Sequence, residues 1–143
     1  MKVISKPEHG PFNIFISYSH HDERLARTIG DLLRYRVNTR VFLDSEISAG
    51  RDWQSELRKQ LKNADVVIPV LSPSSMNSSW VLSELGAAWS LEKPILPVVT
   101  NRAVLNNIPI RVDQANIVEW IDEPGQADRF IDHVQQVLAH IHA

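Results

Sequence analysis

The stretch ADVVIPVLS, residues 64–72, decides the fold. Nearly all of its residues are apolar, which is typical of a strand that lies inside a parallel sheet and is covered on both faces. A polar loop, PSSMNS, follows it, and residues 78–89, SSWVLSELGAAW, then show the periodicity of an amphipathic helix. A buried strand followed by a helix is the repeating unit of α/β proteins, so this segment predicts that class.

The same unit recurs on both sides of this stretch. A strand and then a helix are predicted twice before it, and the second of these helices begins at Asp52. Right-handed crossovers between successive strands place helices on both faces of one parallel sheet. We therefore predict a flavodoxin-like, three-layer α/β fold with five parallel strands in the order 2-1-3-4-5. The other four predicted strands are FNIFISY (12–18), RVFLD (40–44), PILPVVT (94–100) and NIVEWI (116–121).

Some residues within these elements carry expectations of their own. Pro69 and Pro97 lie inside predicted strands, where each removes one donor from the ladder, so a bulge or a locally unpaired position is expected at both. Trp53 and Trp89 fall on apolar helix faces and are predicted to lie in the core. Residues 101–115 show no clear pattern.

Length and composition limit the functions available. With 143 residues the chain fits one domain, predicted at residues 12–143 after an N-terminal extension of residues 1–11. Lysine and arginine total 15 against 17 acidic residues, and no basic run offers a track for phosphates. No nucleic-acid polymer is therefore expected as a partner. The absence of cysteine excludes disulfides, thiolate catalysis and Cys-ligated zinc.

No targeting or membrane segment is predicted. The opening MKVISKPEHG has no apolar region of the kind that signal peptides carry. The longest apolar run, VVIPVL at residues 66–71, is far too short to span a bilayer. We therefore expect a cytoplasmic protein with no membrane partner.

Glu84 lies on the predicted helix of residues 78–89, one turn after Trp80 and next to the small residues at 86–88. It lies beyond the position at which a capping glutamate acts, and no lysine or arginine is three or four residues away. Local capping and local ion pairing therefore do not explain it. The small residues leave room for either a packed neighbour or a ligand. The spacing alone leaves both a solvated surface role and a functional role open.

The predicted sheet order places Glu84 near a ligand-binding crevice. In open α/β sheets, ligands bind outside the carboxyl ends of the strands where the strand order reverses, which here lies between the first and third strands. Tyr18 and Ser19 would flank that crevice on one side, and Ser72 and Pro73 on the other. Trp80 and Glu84 follow shortly after it.

A lone carboxylate suits one kind of glycosidic cleavage. Hydrolysis of an ordinary glycoside needs two carboxyl groups, because a poor oxygen leaving group must be protonated. The nicotinamide of NAD⁺ is already cationic and leaves as a neutral molecule, so one glutamate could suffice. That glutamate could orient the ribose, offset positive charge at the anomeric carbon or trap it transiently, while an aromatic ring one turn away stacks on a planar group.

The chain closely resembles a bacterial TIR (Toll/interleukin receptor) domain over about residues 12–140. The motifs that carry the resemblance are, in order, FNIFISYSHHD, VFLDSEISAGRDW, DVVIPVLSPSSMNSSW and WVLSELGAAW. The resemblance implies cleavage of NAD⁺ to nicotinamide and ADP-ribose or a cyclised product, with NAD⁺ as substrate and no cofactor. It also implies that the W-x-x-x-E glutamate of the family corresponds to Glu84, with Trp80 as a substrate-binding residue.

The loop after the second predicted strand resembles the family segment that gates the site and mediates assembly. Such enzymes are typically active when self-associated, because the site is completed across a subunit boundary. Ile47 is a candidate contact for another subunit, or it packs against its own domain. The residues of this predicted assembly loop are Ser45, Glu46, Ile47, Ser48, Ala49 and Gly50.

Other candidate binding residues are supported by fewer observations. Tyr18 and Ser19 are expected to line the ribose or nicotinamide pocket, although Ser19 and Asp22 also match the signature of a helix cap. Asp44 could touch the substrate or hold the following loop. Arg51 could meet the pyrophosphate or remain solvated. The six histidines form no spacing typical of a metal site, so no metal is expected.

Two function hypotheses follow. The first is an NAD⁺ glycohydrolase or cyclase that acts as the effector of a bacterial antiviral defence system and is activated by oligomerisation. The second is a non-catalytic TIR module that signals through TIR–TIR assembly. Because many bacterial relatives carry a sensor module, we also expect the domain to be part of a longer protein with a fused or associated ligand-sensing module.

Overall fold

The computed structural model describes residues 11–45, 53–77, 79–108 and 116–141. Within these residues, an α-helix follows each of the five strands except the fourth, after which a 3-10 helix precedes the fifth strand. Short 3-10 helices occupy His20–Asp22, Ser75–Asn77 and Arg102–Asn107. The strands and helices are β1 (Phe12–Tyr18), α1 (Glu23–Arg36), β2 (Thr39–Ser45), α2 (Trp53–Asn63), β3 (Val66–Leu71), α3 (Ser79–Ser90), β4 (Val98–Val99), β5 (Val118–Glu119) and α4 (Gln126–Ile141).

The strands form one parallel sheet in the order β2-β1-β3-β4-β5. β1 lies between β2 and β3, so that Ile14 pairs with Val41 on one side and with Val66 on the other. This arrangement confirms the predicted fold class and strand order. It also puts the point where the strand order reverses between β1 and β3.

Helices cover both faces of the sheet. The side chains of β1 alternate between the two faces, and each set packs in its own hydrophobic layer. Ile14 and Ile16 pack with residues of α1 and α4 in one cluster. Phe15 packs on the other face with Leu61 of α2 and Leu85 of α3. The fold therefore has three layers, and each fully buried Ile, Leu or Phe contributes about 1.5–3 kcal/mol relative to exposure.

The pairing between β3 and β4 is interrupted where Pro69 and Pro97 lie. It forms a single bridge at Val67 before the gap and resumes at Val70 after it, with the same offset between the two strands on both sides. An unchanged offset excludes a bulge, because a bulge adds a residue to one strand. Of the two predicted outcomes, a locally unpaired ladder is therefore the one found.

β4 and β5 are shorter than the predicted strands of residues 94–100 and 116–121. β4 has two regular residues, which follow Pro97 directly, and Pro97 has no N–H to donate to a ladder. β5 lies at the sheet edge and, among the described residues, pairs only with this short strand, so it is short as well. β5 is also bonded to the residue before β4, because Val118 N donates to Pro97 O at 2.9 Å.

The predicted burial of Trp89 is wrong, since 54% of this residue is exposed. Leu85 and Ala88 form the buried face of α3, and Trp89 is rotated by about 100° from Ala88 on the helix. The side chain of Trp53 lies outside the described residues. Of the segment 101–115, which shows no clear pattern in the sequence, Arg102–Asn107 forms a 3-10 helix.

None of the helices in the described ranges combines the length and the apolar character that a membrane crossing needs.

Candidate functional site

Buried polar side chains concentrate at the carboxyl ends of β1 and β3. This is the edge at which open α/β sheets bind ligands, next to the point where the strand order reverses. Buried polar groups are costly unless they form hydrogen bonds, so their contacts define what the region can do. The buried residues here are Ser17, Ser19, Ser72 and Ser75, together with Glu84 on α3.

Glu84 lies inside the apolar stripe of α3. The buried residues Val81, Leu85 and Ala88 have the i, i+4, i+7 spacing of a helix face that packs on a sheet. Glu84 takes the i+3 position of that same face, and 2% of it is exposed. A hydrophobic residue would ordinarily occupy this position, because burying a charge costs free energy. The acid is therefore placed against the usual pattern.

Ser17 supplies a hydrogen bond to this acid. Strand alternation puts Ser17 on the same face of β1 as Phe15, the face that α2 and α3 cover. Its Oγ donates a hydrogen bond to Glu84 Oε1, and both residues are buried. A hydroxyl is a neutral donor, so it satisfies one oxygen of the carboxylate without adding a positive charge. Glu84 is thus a buried acid with a hydrogen-bond donor at one of its two oxygens.

A second polar cluster joins the loops that follow β1 and β3. Asp22 Oδ2 accepts a hydrogen bond from Ser72 Oγ at 2.7 Å and another from Ser19 Oγ at 3.3 Å. Ser72 N donates to Ser75 Oγ at 2.8 Å, and Ser75 N donates to Ser72 Oγ at 3.2 Å. One carboxylate therefore connects the end of β1 to the turn that leads towards α3.

The predicted capping role of Ser19 and Asp22 is wrong. Ser19 precedes the short 3-10 helix and Asp22 precedes α1, but neither side chain bonds a helix backbone N–H. The Asp22 carboxylate instead accepts hydrogen bonds from the hydroxyls of Ser72 and Ser19. Ser72 is 50 residues away in the chain, so the local signature could not include it.

Of the other predicted site residues, the structure describes Tyr18 in full but only the backbone of some and nothing of the rest. Tyr18 is 4% exposed and belongs to the core cluster with α1 and α4, on the face of β1 opposite Ser17. Asp44 and Ser45 end β2 and pair with Ser17 and Tyr18 of β1. Trp80 lies in the first turn of α3. The side chains of Asp44, Ser45 and Trp80, and all of residues 46–52 with Arg51 and the rest of the assembly loop, lie outside the described residues, so their roles stay predictions.

Four residues of the site were not among the sequence-based candidates for binding or catalysis: Ser17, Asp22, Ser72 and Ser75. Ser17 carries a signal in hindsight, since it is a polar residue on the strand face that Phe15 shares. The predicted strand order already places Ser72 beside the crevice, but no sequence signal indicates its contact with Asp22, because that contact joins two separate loops. In the described ranges, no group of three or more acidic or histidine side chains is arranged to hold a metal ion.

Comparison with known protein families gives one match that spans most of the chain. Residues 14–138 match the family described as the TIR domain. No curated protein matches the chain.

Solved structures similar to this chain share its fold at low sequence identity. The TIR domain of the Toll-related receptor TRR-2 from Hydra magnipapillata is 16% identical with a TM-score of 0.59, covering 87% of this chain and 96% of that one. A flavodoxin-like domain from Synechococcus sp. is 15% identical with a TM-score of 0.58, covering 90% and 97%. The TIR domains of the activated Roq1 resistosome, which recognises the pathogen effector XopQ, are 18% identical with a TM-score of 0.53, covering 90% and 84%.

Proposed function

Because the chain belongs to the TIR domain family, we propose that it is an NAD⁺ glycohydrolase or cyclase that cleaves the bond between nicotinamide and ribose. The observation that carries the proposal is the position of Glu84, an acid within the apolar stripe of α3 at the ligand-binding edge of the sheet. The products are nicotinamide and ADP-ribose or its cyclic form. NAD⁺ is the substrate, and the proposal includes no bound cofactor.

One carboxylate is enough for this reaction. Nicotinamide leaves as a neutral molecule, so the step needs no general acid, and positive charge develops at the anomeric carbon of the ribose. A carboxylate in a water-poor site interacts with that charge more strongly than a solvated one. Glu84 would therefore stabilise the transition state or bond transiently to the anomeric carbon before water or an internal nucleophile replaces it.

Contact with substrate requires the site to open, because 2% of Glu84 is exposed. The hydroxyl of Ser17 now donates to Oε1 of the acid. A ribose hydroxyl has the same donor chemistry, and in this proposal it replaces the Ser17 hydroxyl when NAD⁺ binds. The exchange conserves the number of hydrogen bonds to the carboxylate, so its main cost is the opening itself.

The remaining candidates keep their predicted roles within this proposal. Trp80, one helical turn before the acid, is proposed to stack on a planar part of NAD⁺. Ser19, Asp44 and Arg51 are proposed to contact the ribose and the pyrophosphate. Tyr18 is the weakest of the group, because its ring packs on the opposite face of the sheet from Glu84.

The proposal extends to regulation. TIR domains self-associate, and we propose that self-association activates this one through its loop of residues 45–50. The biological role proposed is that of an effector in a bacterial antiviral defence system, in the cytoplasm, triggered by a fused or associated ligand-sensing module. Depletion of cellular NAD⁺ after forced assembly of the domain in bacterial cells would support that role, and unchanged NAD⁺ levels would count against it.

A non-catalytic assembly module is the second candidate, and the burial of Glu84 is also compatible with it. In that case the acid serves to join α3 to β1 through Ser17 and never meets a substrate. TIR domains include scaffold members, so family membership does not decide between the two functions.

The deciding experiment measures nicotinamide release from NAD⁺ by the wild type and by Glu84→Gln under conditions that promote assembly. Glutamine keeps the shape and can still accept from Ser17, so we expect the free energy of unfolding to change by no more than about 1 kcal/mol. Turnover is expected to fall at least about 100-fold, as when a main electrostatic group is removed from an active site.

Glu119→Gln is the control, because it makes the same change from carboxylate to amide at a half-buried glutamate on β5. Its Oε1 lies 3.3 Å from Arg102 Nε, away from the Ser17–Glu84 pair. We expect this variant to keep wild-type turnover. Undiminished turnover in Glu84→Gln would overturn the catalytic role, and an assembled wild type that releases no nicotinamide would favour the scaffold function.

A further inference from the structure

We infer that Asp22 is a positioning residue, which sets the separation between the loop after β1 and the loop after β3. The inference rests on the proposed function, because these loops flank the crevice in which NAD⁺ would bind. Two hydrogen bonds carry it: Asp22 Oδ2 accepts from Ser72 Oγ at 2.7 Å and from Ser19 Oγ at 3.3 Å. Both donors are buried, at 6% and 1% exposed.

These two hydrogen bonds are unusual for an aspartate at this position in the chain. Asp22 immediately precedes α1, where an aspartate ordinarily bonds a free N–H of the first helical turn. Its carboxylate forms no such bond. If Asp22 served α1 alone, its carboxylate would cap that helix. It instead bonds Ser72 on another loop, so its side chain acts on the crevice.

Both hydrogen bonds lead on to Glu84. On the β1 side, Ser19 follows Ser17 by two residues, and Ser17 donates to the acid. On the β3 side, Ser72 is fixed to Ser75 by reciprocal bonds, and the chain then enters α3, which carries Glu84. Asp22 thus completes a ring, made partly of side-chain hydrogen bonds and partly of chain connections, that begins and ends at the proposed catalytic acid.

The ring predicts how two substitutions differ. Asp22→Ala removes the acceptor and releases both loops, so we expect kcat/KM for NAD⁺ to fall about tenfold, mainly through a higher KM. Asp22→Asn keeps an acceptor oxygen for the two hydroxyls and is expected to restore most of that loss. If Asp22 instead acted on the substrate through its charge, both variants would lose activity equally.

Asp65 provides a matched control. It is partly buried like Asp22, and its Oδ2 accepts a hydrogen bond from Asn13 N at 2.7 Å. This bond also joins β1 to the region of β3, but at the amino ends of the strands, away from the crevice. Asp65→Ala is expected to lower stability without changing KM. A purely structural role for Asp22 predicts the same behaviour for Asp22→Ala.

The test combines steady-state kinetics with hydrogen–deuterium exchange of the backbone amides in residues 19–22 and 72–77. Asp22→Ala is expected to raise exchange in both segments and to raise KM, whereas Asp22→Asn and Asp65→Ala leave both near wild type. Unchanged exchange, unchanged kinetics or equal losses in the two Asp22 variants would each overturn the inference while the wild type still cleaves NAD⁺. A wild type that neither binds nor cleaves NAD⁺ would overturn the proposed function, and this inference with it.

Discussion

The side chain of Ser17 lies on a buried strand, and its hydroxyl donates to Glu84, an acid within the apolar stripe of α3. Removing this hydroxyl leaves the Glu84 carboxylate with one donor fewer in a place where water does not reach freely. For Ser17→Ala we expect the free energy of unfolding, measured by urea denaturation, to fall by about 1–3 kcal/mol. In a Glu84→Gln background the same substitution is expected to cost less, because a neutral amide is cheaper to bury than a carboxylate. Equal costs in the two backgrounds would show that Ser17 does not act on the charge.

A second residue-scale prediction concerns Gly125, whose φ of +88° lies in the left-handed region. A side chain is strained there, and a Cβ would also come within 3.1 Å of Arg129 Nη1. We expect Gly125→Ala to lower the free energy of unfolding by about 1–2 kcal/mol in urea denaturation. Gly125→Asn is the comparison, because asparagine tolerates this backbone region better than alanine. A neutral effect of alanine would contradict the strain.

At the scale of the elements, periodicity in the sequence predicts the order and type of the strands and helices, since it reports which face of each is apolar. It fails at the site for a physical reason. A pattern assigns an acid to the surface, whereas the burial of Glu84 depends on a serine 67 residues earlier in the chain. The contact of Asp22 with Ser72 spans 50 residues in the same way. Pro69 and Pro97 are visible in the sequence, but whether a bulge or a gap accommodates them depends on the register between β3 and β4.

Replacing Gly86 by alanine is expected to stabilise the protein, whereas the same replacement at Gly125 is expected to destabilise it. It lies inside α3, and a Cβ built on it would meet no atom within 4 Å. Close packing of the described residues therefore does not require glycine there, and alanine is the better helix former. We expect Gly86→Ala to raise the free energy of unfolding by about 0.5–1 kcal/mol, measured as a higher urea midpoint with an unchanged slope. A loss of stability would mean that α3 needs the flexibility of glycine at this position.

At the scale of the whole molecule, the parallel topology brings distant residues to one edge of the sheet. Every strand delivers its carboxyl end to that edge, and the reversal of strand order separates the loops after β1 and β3. The Ser17–Glu84 pair and the contact of Asp22 with Ser72 both join β1, or the loop after it, to the part of the chain that follows β3. The described residues thus provide, within one chain, the acid Glu84, its hydroxyl donor Ser17, and the contact of Asp22 with Ser72 that joins the loops after β1 and β3.

Activation by self-association is the prediction that belongs to the whole molecule, since TIR domains self-associate. If assembly activates the proposed enzyme, nicotinamide release per subunit should rise with protein concentration, because the active species forms by mass action. The sharper measurement fixes the wild type at a low concentration and adds the Glu84→Gln variant, which keeps the surface but supplies no acid. We expect the added subunits to raise the activity of the wild type by recruiting it into assemblies, whereas an equal amount of an unrelated protein should not. A rate that is strictly proportional to wild-type protein, and unaffected by the added variant, would contradict activation by assembly.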